Sequence, residues 1–423
     1  MCIGVDIADI SRFENASEEF LNKCFTEDEK KLFEGKNTSQ RIASNFASKE
    51  AFSKALGTGI RGFSLKDISV LRDALGKPYF VFSDNITKIL DEMGVSDVEL
   101  TISHDGGNAV AVVFIKQCEK VKNANKYIAK TDFESDEIIT YSCVKSAIKP
   151  RKSETHKGDY GKIFIVAGSK GLTGAGIMAS KAALRSGGGL ITLGCCESLN
   201  SIFETTLHEV MTLPLADNGI SLTKSCADEI IRKANQSSVI AFGCGLSNTP
   251  DIYNILKKII REVNVPIVID ADGINALARN INILKSAKAP VILTPHIAEF
   301  SRICGLGIDE INSDIKNIAA DFAKEYCVTL VLKGHNTLVA ESDGKIKTNI
   351  LGNPGMATGG SGDVLTGIIA SFVGQGISDA ALCGVYIHSL AGDISALEKG
   401  EYGMTPGDII ENIPYAIRSI HKR

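Results

Sequence analysis

At 423 residues, 44% hydrophobic, 23% charged and with a formal net charge of -4, the chain is too long for one ordinary core, and two domains are expected. Its balanced charge gives no reason to expect nucleic acid. Eleven cysteines and seven histidines form no C-x-x-C pair and no metal-like grouping, which fits a reduced, cytoplasmic protein. No uncharged apolar run reaches the roughly 18–20 residues of a membrane span. The opening "MCIGVDIADISRF" reaches charge and strand pattern at once, so no leader peptide is expected.

Residues 1–117 begin and end with strand-like runs, "IGVDI" and "NAVAVVFI", with helical stretches between them. Asp6 falls inside an apolar strand, where an acid costs free energy unless it is paired or binds a metal. "SNFASKEAFSKALGTG" reads as a helix ended by Gly57 or Gly59. Glu50 and Lys54, at i and i+4, share one face of it. Taken alone, these residues suit an ordinary helical ion pair and one hydrogen-bonded aspartate. Residues 118–136, "CEKVKNANKYIAKTDFESDE" in their surroundings, pass from basic to acidic with few large apolar residues, and a solvated linker is expected.

Beyond residue 160 short runs recur: "KIFIVAG", "LITLGC", "SVIAFGCG", "PIVIDADG", "PVILTP" and "VTLVLKG". They are apolar throughout rather than alternating, so both faces are buried. Helical segments such as "GIMASKAALRSG" and "DIYNILKKIIREV" separate them. A mostly parallel sheet with helices on both sides follows, and ligands bind such sheets at the carboxyl ends of the strands. Gly168, Gly243, Gly245, Asp270, Asp272, His296, Lys333 and Gly334 stand at those ends. "NPGMATGGSGDVLTGIIA" (353–370) then places a Gly-rich turn and Asp363 before a helix, because Val364, Leu365, Ile368, Ile369, Phe372 and Val373 repeat at the helical period. Backbone N–H groups converging at a helix start suit a phosphoryl group. A carboxylate there would repel phosphate, but suits a base that takes a proton from a hydroxyl. For an isolated G-x-G-D a capping carboxylate is the favoured reading, so the rest of the chain decides.

The N-terminal segments, with "CFTEDEKKLF", "GKPYF" and "TISHDG", resemble the holo-acyl-carrier-protein synthases, small phosphopantetheinyl transferases of α+β fold. The resemblance covers residues 1–117. It implies transfer of 4'-phosphopantetheine from coenzyme A to a serine of acyl carrier protein, with Asp6 and Glu50 as Mg2+ ligands. Lys54 would neutralise phosphate charge or help the leaving group. His104 lies in the matching Ser-His segment without an assigned role. The family site lies between subunits of a trimer, so a homo-oligomer is implied.

Residues 137–423, through "HKGDYGKIFIVAGS", "VIDADGINAL", "TPHIAEF", "LKGHNTLV", the 353–370 stretch and "HSLAGD", resemble the nucleotide-dependent NAD(P)H-hydrate dehydratases, whose fold is a ribokinase-like α/β/α sandwich. The resemblance implies that ADP (or ATP) phosphorylates the hydroxyl of (S)-NAD(P)H-hydrate and that loss of phosphate restores NAD(P)H. Asp363 would be the base. The Gly360–Gly362 amides would stabilise the transferring phosphoryl group. Lys333, Gly334, His335, Asn336 and Thr337, with Gly362, would hold the nucleotide. Ala175, Gly245, His296 and Asp363 would contact the hydrate. His156 and Lys157 match the family signature without a chemical role. The upstream region lacks the epimerase pattern often fused to such domains. Spacing alone equally permits a small-molecule kinase, and one half could be a non-catalytic scaffold or sensor.

Overall fold

Strand β1 (Cys2–Asp9) alternates: Gly4, Asp6 and Ala8 turn toward a helix, while Ile3, Val5 and Ile7 face outward. The computed structural model describes residues 2–35, 37–117 and 119–421, and the chain divides into two units, residues 1–122 and 123–421. In the first unit come β2 (Ile68–Arg72), β3 (Pro78–Phe82), β4 (Val95–Asp105) and β5 (Asn108–Gln117). β5 pairs antiparallel with both β1 and β4, and β2 with β3. The helix Thr38–Leu56 lies against the larger sheet with Ala43, Ala47, Ala51 and Ala55 buried, an i, i+4 stripe of small side chains. Close approach needs Gly4 opposite it. A Cβ at Gly4 would stand 2.0 Å from the Ala51 carbonyl oxygen and 2.5 Å from the Ala55 nitrogen. The α+β reading of this region holds.

In the second unit, β6 (Lys162–Val166), β7 (Leu190–Cys196), β9 (Val239–Phe242), β10 (Ile267–Ile269), β11 (Val291–Leu293) and β12 (Thr329–Leu332) coincide with the six apolar runs. Between and after them lie β8 (Met211–Leu215), β13 (Leu338–Ala340) and β14 (Ile346–Thr348), which sequence reading did not resolve. The sheet runs β14-β13-β12-β11-β10-β9-β6-β7-β8 among the described residues. It is parallel except at β12/β13 and β13/β14, which are antiparallel. One face packs on the helices Thr173–Arg185, Ser361–Gly374, Ala380–Lys399 and Pro406–His421. The other packs on Pro250–Glu262, Ile297–Cys304 and Ile315–Tyr326. This is the expected three-layer sandwich. Chain order reverses direction between β6 and β9, so the topological switch point, where such sheets bind ligands, opens there.

The linker expectation needs correction. Residues Glu119–Ile128 form a helix, and Ala124 and Ile128 are fully buried in the core of the second unit. Val121, Ala124 and Ile128 recur at helical spacing, a pattern the lysine-rich composition masks. The Thr131 hydroxyl then bonds the Tyr386 hydroxyl at 2.8 Å. The helix Ala380–Lys399 is long and apolar enough to cross a membrane, but 83% of its apolar window is buried inside the unit.

Candidate active sites

The Gly-rich turn and the strand ends meet in the second unit. Gly360, at φ +102°, is the N-cap residue of the helix Ser361–Gly374, and no side chain caps that helix. A Cβ at Gly360 would lie 2.4 Å from the Met178 methyl carbon. Asp363 is therefore not a capping carboxylate. It stands one residue beyond Gly362, over a cavity of about 760 Å³.

Burial, then the neighbouring Asp270 charge, pushes the Asp363 carboxyl up to about 6, against the nearby Cys244 thiol and the Lys333 charge, which pull it down. Asp270 is 1% exposed. Its two oxygens accept from Lys333 Nζ at 2.7 Å and from the Thr366 hydroxyl at 2.7 Å. Cys244 Sγ is 4.0 Å from Asp270 Oδ2. The Cys244 sulfur and one carboxylate oxygen each of Asp270 and Asp363 lie within 4.8 Å of one another. Burial pulls the Lys333 ammonium down, but Asp270 and Glu299 outweigh it and raise it, so the lysine is a cation.

His296 ends the next strand and caps the helix Ile297–Cys304. Its Nδ1 accepts from the N–H groups of Ala298 and Glu299, each at 3.2 Å, and Glu299 accepts the His296 N–H at 2.9 Å. In the neutral ring the proton must then sit on Nε2. Glu299 is raised by burial, against the pull of Lys333.

Of the residues expected to form this site, Asp363, Gly362, Lys333, Gly334, His335, Thr337 and His296 line the cavity. Asn336 is not among its lining residues. Ala175 and Gly245 meet each other instead: a Cβ on Gly245, at φ +60°, would come within 2.9 Å of the Ala175 Cβ. Both lie at the switch point, outside the described cavity wall. His156 caps a turn on the surface, its Nδ1 accepting from Gly158 N–H at 3.1 Å.

Several neighbouring side chains were given no role by the sequence. Thr366 is three residues beyond Asp363 on the same helix, and that spacing was a usable signal. His388, buried and lowered to about 4 by burial, is neutral, and its Nε2 is 3.3 Å from the Ser361 hydroxyl. Asp393 accepts from Gly352 N–H and from the Asn353 amide, both at 3.0 Å, which ties down the start of the Gly-rich stretch.

In the first unit, strand alternation turns Asp6 toward the helix that carries Glu50 and Lys54. Lys54 Nζ donates to Asp6 Oδ1 at 2.8 Å and to the Val5 carbonyl at 3.1 Å. Glu50 is raised by burial and by the Asp6 charge, and lowered by Lys54. The three expected residues therefore form one cluster. His104 lies elsewhere on this surface, its Nε2 2.5 Å from the Ser44 hydroxyl. Sequence reading missed the fully buried pair Glu29–Lys49, 2.6 Å apart. Lys49 also donates to the carbonyls of Cys24 and Leu65, and Glu29 accepts from Asn45 and Val70 N–H. Such a saturated ion pair organises structure.

Comparison with known proteins matches residues 163–415 to the family model described as NAD(P)H-hydrate dehydratase and residues 2–113 to the 4'-phosphopantetheinyl transferase superfamily. A bifunctional NAD(P)H-hydrate repair enzyme, Nnr, of Moorella thermoacetica is 39% identical over 67% of this chain and 54% of its own. An ADP-dependent (S)-NAD(P)H-hydrate dehydratase of Neisseria meningitidis is 33% identical over 65% of this chain and 90% of its own. The crystal structure of an ADP/ATP-dependent NAD(P)H-hydrate dehydratase from Bacillus subtilis, co-crystallised with ATP/Mg2+, is similar at TM-score 0.57 and 28% identity, over 66% of this chain and 97% of that one. The chain spans about half the length of the first bifunctional relatives it matches.

Proposed function

We propose, on the premise that this chain belongs to the NAD(P)H-hydrate dehydratase family, that its second unit dehydrates (S)-NAD(P)H-hydrate to NAD(P)H at the expense of ADP or ATP. The observation that carries this reading is Asp363, a carboxyl held at about 6 beside a glycine-rich helix start over a 760 Å³ cavity. Near neutral pH such a group is mostly ionised yet still basic enough to accept a proton. It takes the proton of the substrate hydroxyl. That oxygen forms a bond to the terminal phosphorus as the bond to the nucleotide breaks. The Gly360–Gly362 amides and the Lys333 ammonium hold the charge on the phosphoryl oxygens. Phosphate then leaves with the C–O bonding pair, and loss of a neighbouring C–H proton restores the ring double bond. Gly334, His335, Asn336 and Thr337 are assigned to the nucleotide, and Ala175, Gly245 and His296, whose Nε2–H is a donor, to the hydrate.

The first unit is assigned transfer of 4'-phosphopantetheine from coenzyme A to a serine of acyl carrier protein. Asp6 and Glu50 suit Mg2+: they are hard oxygen donors, and while burial does most to raise Glu50, the Asp6 charge adds a repulsion that a bound cation would relieve. When bound, the ion would neutralise pyrophosphate charge. Lys54 adds a second cation at the same cluster. A trimer built through this unit is part of the proposal. Ile3 pairs with Phe114, Val5 with Val112 and Ile7 with Val110, and Ile3, Val5, Ile7 and Phe114 leave an apolar strip exposed, which further copies would cover. Ten cysteines are free among the described residues, in keeping with a cytoplasmic setting.

The test incubates wild type and Asp363→Asn with hydrated NADH, Mg2+ and ADP or ATP, and follows reduced-nicotinamide absorbance. Recovery in wild type alone is the expected result. A stable phosphoester without recovery would make the unit a small-molecule kinase instead. Mass spectrometry of apo acyl carrier protein with coenzyme A reads the first unit, and an unmodified carrier would refute that half.

A further inference from the structure

We propose that a second cleft, beside the main cavity and lined by Arg279 and Arg302, receives a phosphate group of the hydrated dinucleotide. The inference rests on the reading of the second unit as a hydrate dehydratase, which supplies the ligand. The cleft measures about 430 Å³, and Asn248, Asn275 and Ala278 complete its wall. Asn248 follows β9, Asn275 and Arg279 follow β10, and Arg302 follows β11. These are the carboxyl ends of three adjacent parallel strands, the edge at which such sheets take ligands.

One hydrogen-bonded network holds both arginines without neutralising them. Asp272 Oδ2 accepts from Ser247 N–H at 2.8 Å, and its Oδ1 accepts from the Asn275 amide at 3.4 Å. Asn275 Oδ1 in turn accepts from Arg302 Nη1 at 2.5 Å. Asn248, next to the anchored Ser247, accepts on Oδ1 from Arg279 Nη2 at 3.4 Å. Among the described residues neither arginine pairs with a carboxylate; an amide oxygen is the partner of each. Two cations therefore answer the one carboxylate at the hub. A guanidinium carries five N–H donors, so each keeps donors for a ligand, and its planar fork matches phosphate oxygens. The wall is fixed beforehand. At Gly243, φ +132°, a Cβ would stand 1.9 Å from the Asp270 carbonyl oxygen, so the loops after β9 and β10 meet backbone to backbone.

The cleft is also within a substrate's length of the main cavity. Ala271 lines that cavity, and its carbonyl accepts from Asn275 N–H at 3.0 Å. Arg302 is in the last turn of the helix that His296 caps, about 9 Å along its axis. Asn248 lies just past Gly245. His296 and Gly245 are the residues assigned to the hydrate, so a ligand whose ring lies there reaches the arginines with its phosphates. A dinucleotide offers a pyrophosphate one ribose away from the nicotinamide, and its NADPH form a 2'-phosphate beyond that. Both present the same chemistry to the cleft.

The test titrates unhydrated NADH and NADPH into the full chain, reads the fluorescence of the bound reduced nicotinamide, and measures KM and kcat with each hydrate. Arg279→Ala and Arg302→Ala are each expected to raise Kd and KM about tenfold while kcat stays within about twofold. The effect should shrink in about 0.5 M salt, and Arg→Lys, which keeps the charge and loses the fork, should recover part of it. A loss shared by both dinucleotides assigns the pyrophosphate, and one confined to the NADPH form assigns the 2'-phosphate. Both side chains are exposed, so Tm should move by less than about 2 °C. Unchanged Kd and KM with both dinucleotides overturn the proposal, as does a fall in kcat alone. Weakened dinucleotide binding in a protein that dehydrates no hydrate would retain the cleft and sink the assigned reaction. Dehydration with wild-type KM in both variants would do the reverse.

Discussion

Replacing Asp363 by Asn should abolish turnover and at the same time stabilise the second unit near neutral pH. A carboxyl raised from 3.8 to about 6 on folding is one that the fold prefers protonated. Below about pH 4 the group is protonated in both folded and unfolded chains and contributes nothing. Between about pH 4 and 6 the folded chain holds more proton, and above about pH 6 the full penalty of burying the charge is present. A rise of this size corresponds to about 3 kcal/mol. Asn keeps the shape and cannot ionise, so Asp363→Asn should gain about 2–3 kcal/mol at pH 7.5, or about 3–5 °C in Tm for a unit of this size. The gain should vanish below about pH 4. In wild type, kcat/KM should fall about tenfold per pH unit below 6 as the base is protonated. The chain has no tryptophan, so scanning calorimetry, which also separates the transitions of two units, is the suitable assay. An Asn variant no more stable than wild type at pH 7.5 would refute the idea that Asp363 is held in a strained, ionised state.

Lys333→Met should cost the second unit about 3–5 kcal/mol, because Asp270 is left buried with a hydroxyl as its main partner; thermal melts read it, and an unchanged Tm would show that the pair is not coupled. Gly4→Ala should disrupt the first unit by several kcal/mol, since the clash with the Ala51 carbonyl is backbone against backbone and no rotamer relieves it. Urea unfolding measures this, and pantetheine transfer should fall with it as Asp6 moves away from Lys54. Glu50→Gln should raise the Mg2+ concentration needed for half-maximal transfer by more than about tenfold, while EDTA should stop wild-type transfer and added Mg2+ restore it. An unchanged Mg2+ dependence would remove Glu50 from the metal site.

Periodicity made the frame legible. Runs apolar on both faces, such as "SVIAFGCG" and "VTLVLKG", belong inside a covered parallel sheet, and each became a strand. The short edge strands β8, β13 and β14 were not legible, because "IKT" (346–348) or "MTLPL" (211–215) carries no period that separates a strand from a loop. The helix Glu119–Ile128 was hidden for a related reason: its apolar positions are few and set among lysines, and only the core they enter distinguishes it from a solvated segment.

By itself the sequence determined the two-part organisation, the sheet type and the glycine-rich helix start, since each follows from local spacing and residue type, and it put Asp363, the proposed base, at that start. Tertiary structure decided what surrounds that carboxylate. Cys244, Asp270 and Lys333 each end a different strand, and Thr366 extends the same helix. Which strand ends meet depends on the order β12-β11-β10-β9-β6, which no local pattern encodes. The acidity of Asp363 and the charge on Lys333 come from burial and from neighbours distant in the chain. Those quantities exist only once the sheet has assembled.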